Sequence, residues 1–218
     1  MRENARVAQS EGVIRYQLDF RPGKLPPDAD TVRLCHWFDR CRELGLIGRD
    51  PDLYDGYAYG NISLRVSGGF VISGTQTGGN VVLTRQDLAW VQEVDPLHNR
   101  LRATGPARPS SEAMTHGQIY QALPAANAVI HAHSATIWQR ADALGLPLTA
   151  PEVGYGTPEM AEEVRRLLVS TTSDSGVFVM GGHEDGVVSY AKDMDTAGRL
   201  ILELLTRANA IPGRQPGN

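Results

Sequence analysis

The sequence is poor in cysteine. It has two in 218 residues, Cys35 and Cys41. They lie six apart in a stretch of helical periodicity, so they face different sides and do not pair readily. Neither belongs to a C-x-x-C, which argues against a thiolate metal site or a redox pair. A basic block is also missing. Twenty-one Lys and Arg stand against 25 Asp and Glu, a formal net charge of −4, without the basic stripe of a dedicated nucleic-acid binder. No run approaches 18 apolar residues, so no transmembrane helix is expected. The N-terminal MRENARVAQS has neither the apolar region nor the cleavage signal of a secretory peptide, and the composition reads as cytoplasmic. Three nucleotide and hydrolase signatures are absent as well. No glycine-rich loop ends in G-K-[ST], no G-x-G-x-x-G opens a helix after a strand, and no G-x-S-x-G elbow occurs.

The hydrophobic fraction of 41% with so small a net charge excludes a disordered chain. Gly 23 and Pro 13 show no period, so nothing is collagenous. At about 150 residues per domain the length allows one large domain or two small ones. A chain of this size buries roughly 70% of its unfolded surface and needs no disulfide staples.

Residues 17–30, polar and proline-rich, read as a lead-in loop. Asp30 or Thr31 then caps a helix through TVRLCHWFDRCRELGLIG. NISLRV and FVIS alternate as strands around a Gly-Gly turn, followed by the loop GTQTGGN. TRQDLAWVQEVD is a capped turn leading into a strand, and RATGPARPSS is a loop. SSEAMTHGQIYQAL is a serine-capped helix with an acidic first turn. NAVIHAHS is a buried strand, SATIWQRADAL a helix, and TPEMAEEVRRLLVST an amphipathic helix with Pro158 near its start. GVFVM and GVVSYA form a hairpin across GGHEDG, and DTAGRLILELLTRANA is the last helix. Strand pairs interleaved with helices predict a mixed, largely antiparallel sheet covered by helices.

Several residues can carry chemistry. His131 and His133 end a strand with one residue between them, so both point to one face about 6.6 Å apart. Two imidazoles so placed can converge on one cation; the pair is equally read as two strand-end histidines that only hydrogen-bond. A third ligand is needed, and His183, in the glycine-framed turn Gly181–Gly186, is the strongest candidate, although an exposed turn histidine is the plain alternative. His36 and His98 are assigned to packing or solvent. Glu112 occupies a helix start behind Ser110 and Ser111, a natural anion site, where it is either a base toward substrate or a capping glutamate. His116 lies one turn later on the same face and can orient Glu112 or stabilise the helix. The loop Ser73–Gly79 offers amides and hydroxyls suited to oxyanions.

Taken in order, these motifs resemble the class II aldolase/adducin family from about residue 31 to residue 209. Gly60-Asn61-Ile62-Ser63-Leu64-Arg65 is similar to its G-N-[IV]-S-x-R segment. FVISGTQTGG stands where the family has a threonine/glycine phosphate loop. Arg108-Pro109-Ser110-Ser111-Glu112 with His116 resembles P-S-S-E-x-x-x-H, and Ala128–Ser134 resembles A-V-[VI]-H-x-H-S.

The resemblance implies an α/β fold, a three-layer α/β/α sandwich around a central, mostly antiparallel sheet. It implies one domain over 31–209, with an N-terminal extension over 1–30 and a flexible tail over 210–218. His131, His133 and His183 become ligands of a divalent metal, zinc before Mn2+ or another ion, and Glu112 the catalytic acid/base. Asn61, Thr75, Thr77, Gly78, Ser110 and Ser111 become contacts to the substrate phosphate. The implied activity is that of a class II aldolase, cleaving or forming a C–C bond in a small phosphorylated ketose through a metal-stabilised enediolate. A sugar-phosphate epimerase, an oxo-acid phosphate decarboxylase or a dehydratase would use the same site, and a non-catalytic adducin-like interaction module is the distant alternative. The family further implies a homotetramer with sites near subunit interfaces. Three features depart from its pattern. The phosphate loop reads S-G-T-Q-T-G-G rather than T-P-[ST]-G. The third histidine stands in G-G-H-E-D-G rather than N-H-G, which brings in Glu184 and Asp185. The tail has no tyrosine to protonate a leaving aldehyde, leaving Tyr57, Tyr59, Tyr120 and Tyr155 elsewhere in the chain.

Overall fold

The computed structural model describes residues 13–171 and 173–212. In chain order its elements are β1 (Gln17–Pro22), α1 (Thr31–Glu43), β2 (Gly48–Arg49), β3 (Ala58–Tyr59), β4 (Asn61–Val66), β5 (Gly69–Ser73), β6 (Leu88–Asp95) and β7 (Arg100–Gly105). There follow α2 (Ala113–Ala122), β8 (Ala128–His133), the short α3 (Ala135–Trp138) and α4 (Ala141–Leu144), α5 (Pro158–Val169), β9 (Gly176–Val179), β10 (Gly186–Ala191) and α6 (Met194–Ala210).

Eight strands form one sheet in the order β1-β7-β6-β5-β4-β8-β10-β9. Every pairing within it is antiparallel except β1 with β7. Because side chains alternate across a strand, each strand feeds two cores. On one face Ile62, Val71, Leu88, Ile130 and Val187 pack with Leu34, Phe38 and Cys41 of α1 and Ile201 and Leu204 of α6. On the other, Ile72, Val91, Ala103, Val129, Phe178 and Val188 pack with Met114 and Ile119 of α2 and Met160 and Val164 of α5. Helices on both faces of a mostly antiparallel sheet make the three-layer α/β/α sandwich.

The helix boundaries follow the capping chemistry. Asp30 accepts from the Arg33 amide at the start of α1, Thr157 caps α5 with Pro158 at its first position, and Asp193 caps α6. Thr84 and Asp87 form a reciprocal capping box on the turn before β6. Arg65 donates to the carbonyls of Tyr120 and Leu123. It thereby satisfies the C-terminal end of α2, where a cation is favoured.

Three local readings are corrected. Residues 17–22, expected within a lead-in loop, are strand β1. It runs in register with the whole of β7 from Gln17↔Arg100 to Pro22↔Gly105, and Leu18 and Phe20 lean onto the second core. Residues 102–105, expected within a loop, belong to β7, in which Leu101, Ala103 and Gly105 turn inward. The SATIWQRADAL segment is two short helices rather than one. The chain tightens at Gln139 and Arg140, where the Arg140 amide bonds to Ile137, and Trp138 Nε1 is drawn to the Met180 carbonyl. The extension 1–12 and tail 213–218 lie outside the described residues. Cys35 and Cys41 are free, and burial pushes the Cys41 thiol up to about 12. No helix among the described residues is long and apolar enough to cross a membrane.

Candidate active site

Strand β8 sits in the middle of the sheet between β4 and β10. Its even residues Ala128, Ile130 and Ala132 join the first core, so Val129, His131 and His133 point toward the α2/α5 layer. His183 comes from the β9–β10 turn, in which its amide donates to Met180 O and its carbonyl accepts from Gly186 N. The turn docks on the end of β8 through a bond from Ser134 N to Asp185 O at 2.8 Å. It also presses on the loop after α4 so closely that a Cβ on Gly182 would lie 1.9 Å from Val153 O, a position only glycine can fill.

The three histidines meet. One ring nitrogen from each lies within 4.8 Å of those of the other two, and their ring centroids are 4.9–5.0 Å apart. All three are buried. Burial, reinforced by the neighbouring histidines, holds His131 well below the usual imidazole range, so it is neutral and keeps a lone pair. Its Nε2 is buried without a hydrogen-bond partner. A buried imidazole nitrogen lacking a partner, beside two more imidazoles, fits a divalent cation with nitrogen–metal bonds of about 2.1 Å. Among the described residues this trio is the group able to hold such an ion.

Glu112 stands at the N-cap of α2, but its carboxylate makes no capping bond. Oε2 accepts from the Thr115 hydroxyl at 2.8 Å, and Oε1 lies 3.8 Å from His183 Nδ1. The residue is fully buried. His116 serves a different contact from the one its spacing suggested: its Nδ1 is 2.6 Å from Ser63 Oγ, which also meets the Tyr120 hydroxyl at 2.7 Å. Burial lowers His116 to about 3, so it is a neutral member of this network.

Beside the trio a small pocket is lined by Ala58, Gly60, Asn61, Gly74, Thr75, Gln76, Thr77, Gly78, Ser110 and Ser111. All six residues read as phosphate contacts therefore line one concavity, and no charged side chain does. Its loop is pinned from several sides. Gly74 N donates to Asp87 O, Thr75 N to Arg108 O and Ser110 N to Ser73 O, while the Thr77 hydroxyl closes back on Gly74 O. Gln76 takes the left-handed conformation and accepts from Ala58 N. Asn61 joins pocket and trio, being the register partner of His131 with its amide 3.3 Å from His131 Nδ1.

Of the tyrosines, Tyr59 lies 5.4 Å from the His133 ring and Tyr155 4.7 Å from the His183 ring, with Arg15 stacked on Tyr155. Tyr120 belongs to the His116 network, and Tyr57 is exposed. Sequence reasoning passed over Tyr54, whose ring is 4.6 Å from His133 and whose hydroxyl donates to Asp185. No motif marks it, because a turn brings it in. Glu184 points to solvent, and His36 and His98 are exposed.

The α/β/α sandwich thus brings three convergent histidines, a buried glutamate and a polar pocket together at one end of its sheet. The chain belongs to the class II aldolase and adducin N-terminal domain family, which matches residues 52–210. A methylthioribulose-1-phosphate dehydratase of Enterobacter sp. (strain 638) is 34% identical over 113 residues, 51% of this chain and 50% of that relative. The chain thus matches about half the length of that curated relative. In fold it is similar to L-fuculose-1-phosphate aldolase from Thermus thermophilus, with 20% identity, a TM-score of 0.55 and 84% and 97% of the two chains covered. It is also similar to YgbL from Klebsiella pneumoniae, with 18% identity, a TM-score of 0.62 and 85% and 91% covered.

Proposed function

We propose that this protein is a divalent-metal-dependent lyase acting on a small phosphorylated ketose, cleaving or forming a C–C bond in the manner of a class II aldolase. The observation that carries the reading is the approach of Glu112 Oε1 to within 3.8 Å of His183 Nδ1, which sets a buried carboxylate beside the three-histidine cluster and next to a polar pocket. His131, His133 and His183 would hold the ion, with zinc the best match to three imidazoles and manganese an alternative. A divalent cation there supplies Lewis-acid stabilisation of negative charge on a substrate oxygen.

The chain's own residues do the rest. Asn61, Ser110, Ser111 and the Thr75–Gly78 loop hold the phosphate with amides and hydroxyls, fixing the register of the substrate against the histidines. Glu112 moves a proton at its carboxylate oxygen, to or from the carbon next to the carbonyl. The Thr115 hydroxyl fixes the rotamer of that carboxylate by occupying Oε2. The closely packed β8 and the β9–β10 turn exclude water around the trio. A homotetramer in the cytoplasm belongs to the same reading and rests on the family resemblance and the composition.

A second reading has its own support. The likeness to a methylthioribulose-1-phosphate dehydratase favours loss of water from a ketose phosphate, with Glu112 taking the proton next to the carbonyl and a hydroxide leaving from the following carbon. Product analysis over a panel of pentulose and hexulose phosphates separates the two. An aldehyde and a shorter ketose phosphate identify aldol cleavage, and a dicarbonyl of unchanged carbon number identifies dehydration. About one divalent ion per chain is expected, lost in a His131→Ala/His133→Ala double variant. A protein that binds neither zinc nor manganese sinks both readings.

A further inference from the structure

Tyr54 and Asp185 meet over the histidine cluster. The Tyr54 hydroxyl donates to Asp185 Oδ2 at 2.7 Å. The Tyr54 ring stands edge-on to His133, with centroids 4.6 Å apart and planes at 73°, and Tyr59 packs on it at 5.0 Å. Both ends of this contact sit on backbone that residues with a Cβ avoid, at φ +49° for Tyr54, +56° for Asp55 and +62° for Asp185. Such conformations are unfavourable by themselves and persist where the surroundings hold them. Asp185 follows His183 by two residues, and its carbonyl is bonded to Ser134, the residue after His133. One side chain therefore touches, by its ring, the strand that supplies His131 and His133 and, by its hydroxyl, the turn that supplies His183.

We propose that Tyr54 is a positioning residue for the cation: its hydrogen bond to Asp185 and its ring contact with His133 hold the His183 turn at the distance from β8 that one ion requires. The inference rests on the metal reading of the trio and not on the lyase chemistry. It also gives Asp185 a task. The G-G-H-E-D-G turn uses its aspartate to receive the tyrosine, while the histidines are left to the ion.

The test is calorimetric titration of zinc into the metal-stripped full chain. Tyr54→Phe keeps the ring and loses the hydroxyl, and Asp185→Ala removes the acceptor. Each is expected to weaken zinc binding by about tenfold, as changes in groups that orient metal ligands do. The double variant is expected to bind no more weakly than either single one, because both remove the same contact. Asp185→Asn, whose amide oxygen still accepts, should stay nearer the wild type. Melting temperatures of the metal-stripped forms should remain level across the series. Wild-type zinc affinity in Tyr54→Phe overturns the proposal. So do losses that add in the double variant, or affinity losses matched by falling melting temperatures of the metal-stripped forms. A wild type that binds zinc yet transforms no ketose phosphate refutes the lyase reading and leaves these affinities untouched.

Discussion

Asn61 and His131 are register partners across β4 and β8, and the Asn61 amide lies 3.3 Å from His131 Nδ1. For Nε2 to ligate a cation, Nδ1 must carry the ring proton and donate it. The Asn61 carbonyl oxygen is the group that can receive it, and Oδ1 is buried without a hydrogen-bond partner when the amide nitrogen faces the ring. Turning the amide over satisfies both groups and aims Nδ2 at the pocket as a donor for an anion. On the proposed reading, one side chain would both orient a metal ligand and contact the substrate.

Asn61→Ala should therefore weaken zinc binding by about 10- to 100-fold and raise KM for phosphorylated substrates at saturating zinc. Competition with a chelator measures the first effect and steady-state kinetics the second. Unchanged zinc affinity would mean that Asn61 serves the pocket alone.

Glu112→Gln is nearly isosteric and keeps an oxygen for the Thr115 hydroxyl, but it cannot take a proton. Turnover should fall by about 10²- to 10⁴-fold while the zinc content and melting temperature stay close to wild type. Retained turnover would remove Glu112 from the chemistry.

His116 bears on the pH dependence of stability. Its folded-state value of about 3 lies below the 6.5 of an exposed imidazole. Between those pH values the unfolded chain binds a proton that the folded chain does not. The stability contributed by its neutral burial is therefore present above about 6.5 and lost as pH falls toward 3. Urea unfolding of the metal-stripped protein at pH 7, 6, 5 and 4 should show a decline that His116→Gln makes shallower, by about 1 kcal/mol per pH unit. Parallel profiles for the two proteins would contradict this.

Gly78 lies against the backbone of β2 and β3. A Cβ there would stand 2.5 Å from Gly48 O and 3.0 Å from Tyr59 O, so the loop must move away. Gly78→Ala should cost about 1–3 kcal/mol of stability and raise KM for a ketose phosphate more than it lowers kcat. An unshifted KM would separate this loop from substrate binding.

The sequence was most legible where chemistry and alternation coincide. His131 and His133 share a face because a strand repeats every two residues, and they end a run apolar enough to be a buried strand. Asn61, Thr75, Ser110 and Ser111 stand in short motifs that keep their local geometry. β1 and β7 were obscured by their surroundings. Pro22 and a proline-rich sequel hide the alternation of Leu18 and Phe20, and β7 buries only the small inward side of Leu101, Ala103 and Gly105. β1 also pairs in parallel with a strand about 80 residues away, a partnership that no local pattern encodes. Tyr54 was invisible for a related reason. Its place over His133 depends on two successive left-handed residues that are not glycine, an arrangement propensity argues against.

The pairing of Asn61 with His131 spans a separation of 70 residues, and His183 reaches the same place from still farther along the chain. Closing such long loops costs entropy before any contact repays it. On the proposed metal reading, the three histidines come together only when β8 and β10 are already side by side, with Asn61 of β4 reaching His131 once β4 joins them. An ion that recognises this late arrangement stabilises the finished sheet more than the transition state leading to it. Zinc should accordingly lengthen the lifetime of the folded protein by slowing unfolding, with little effect on how fast the chain folds.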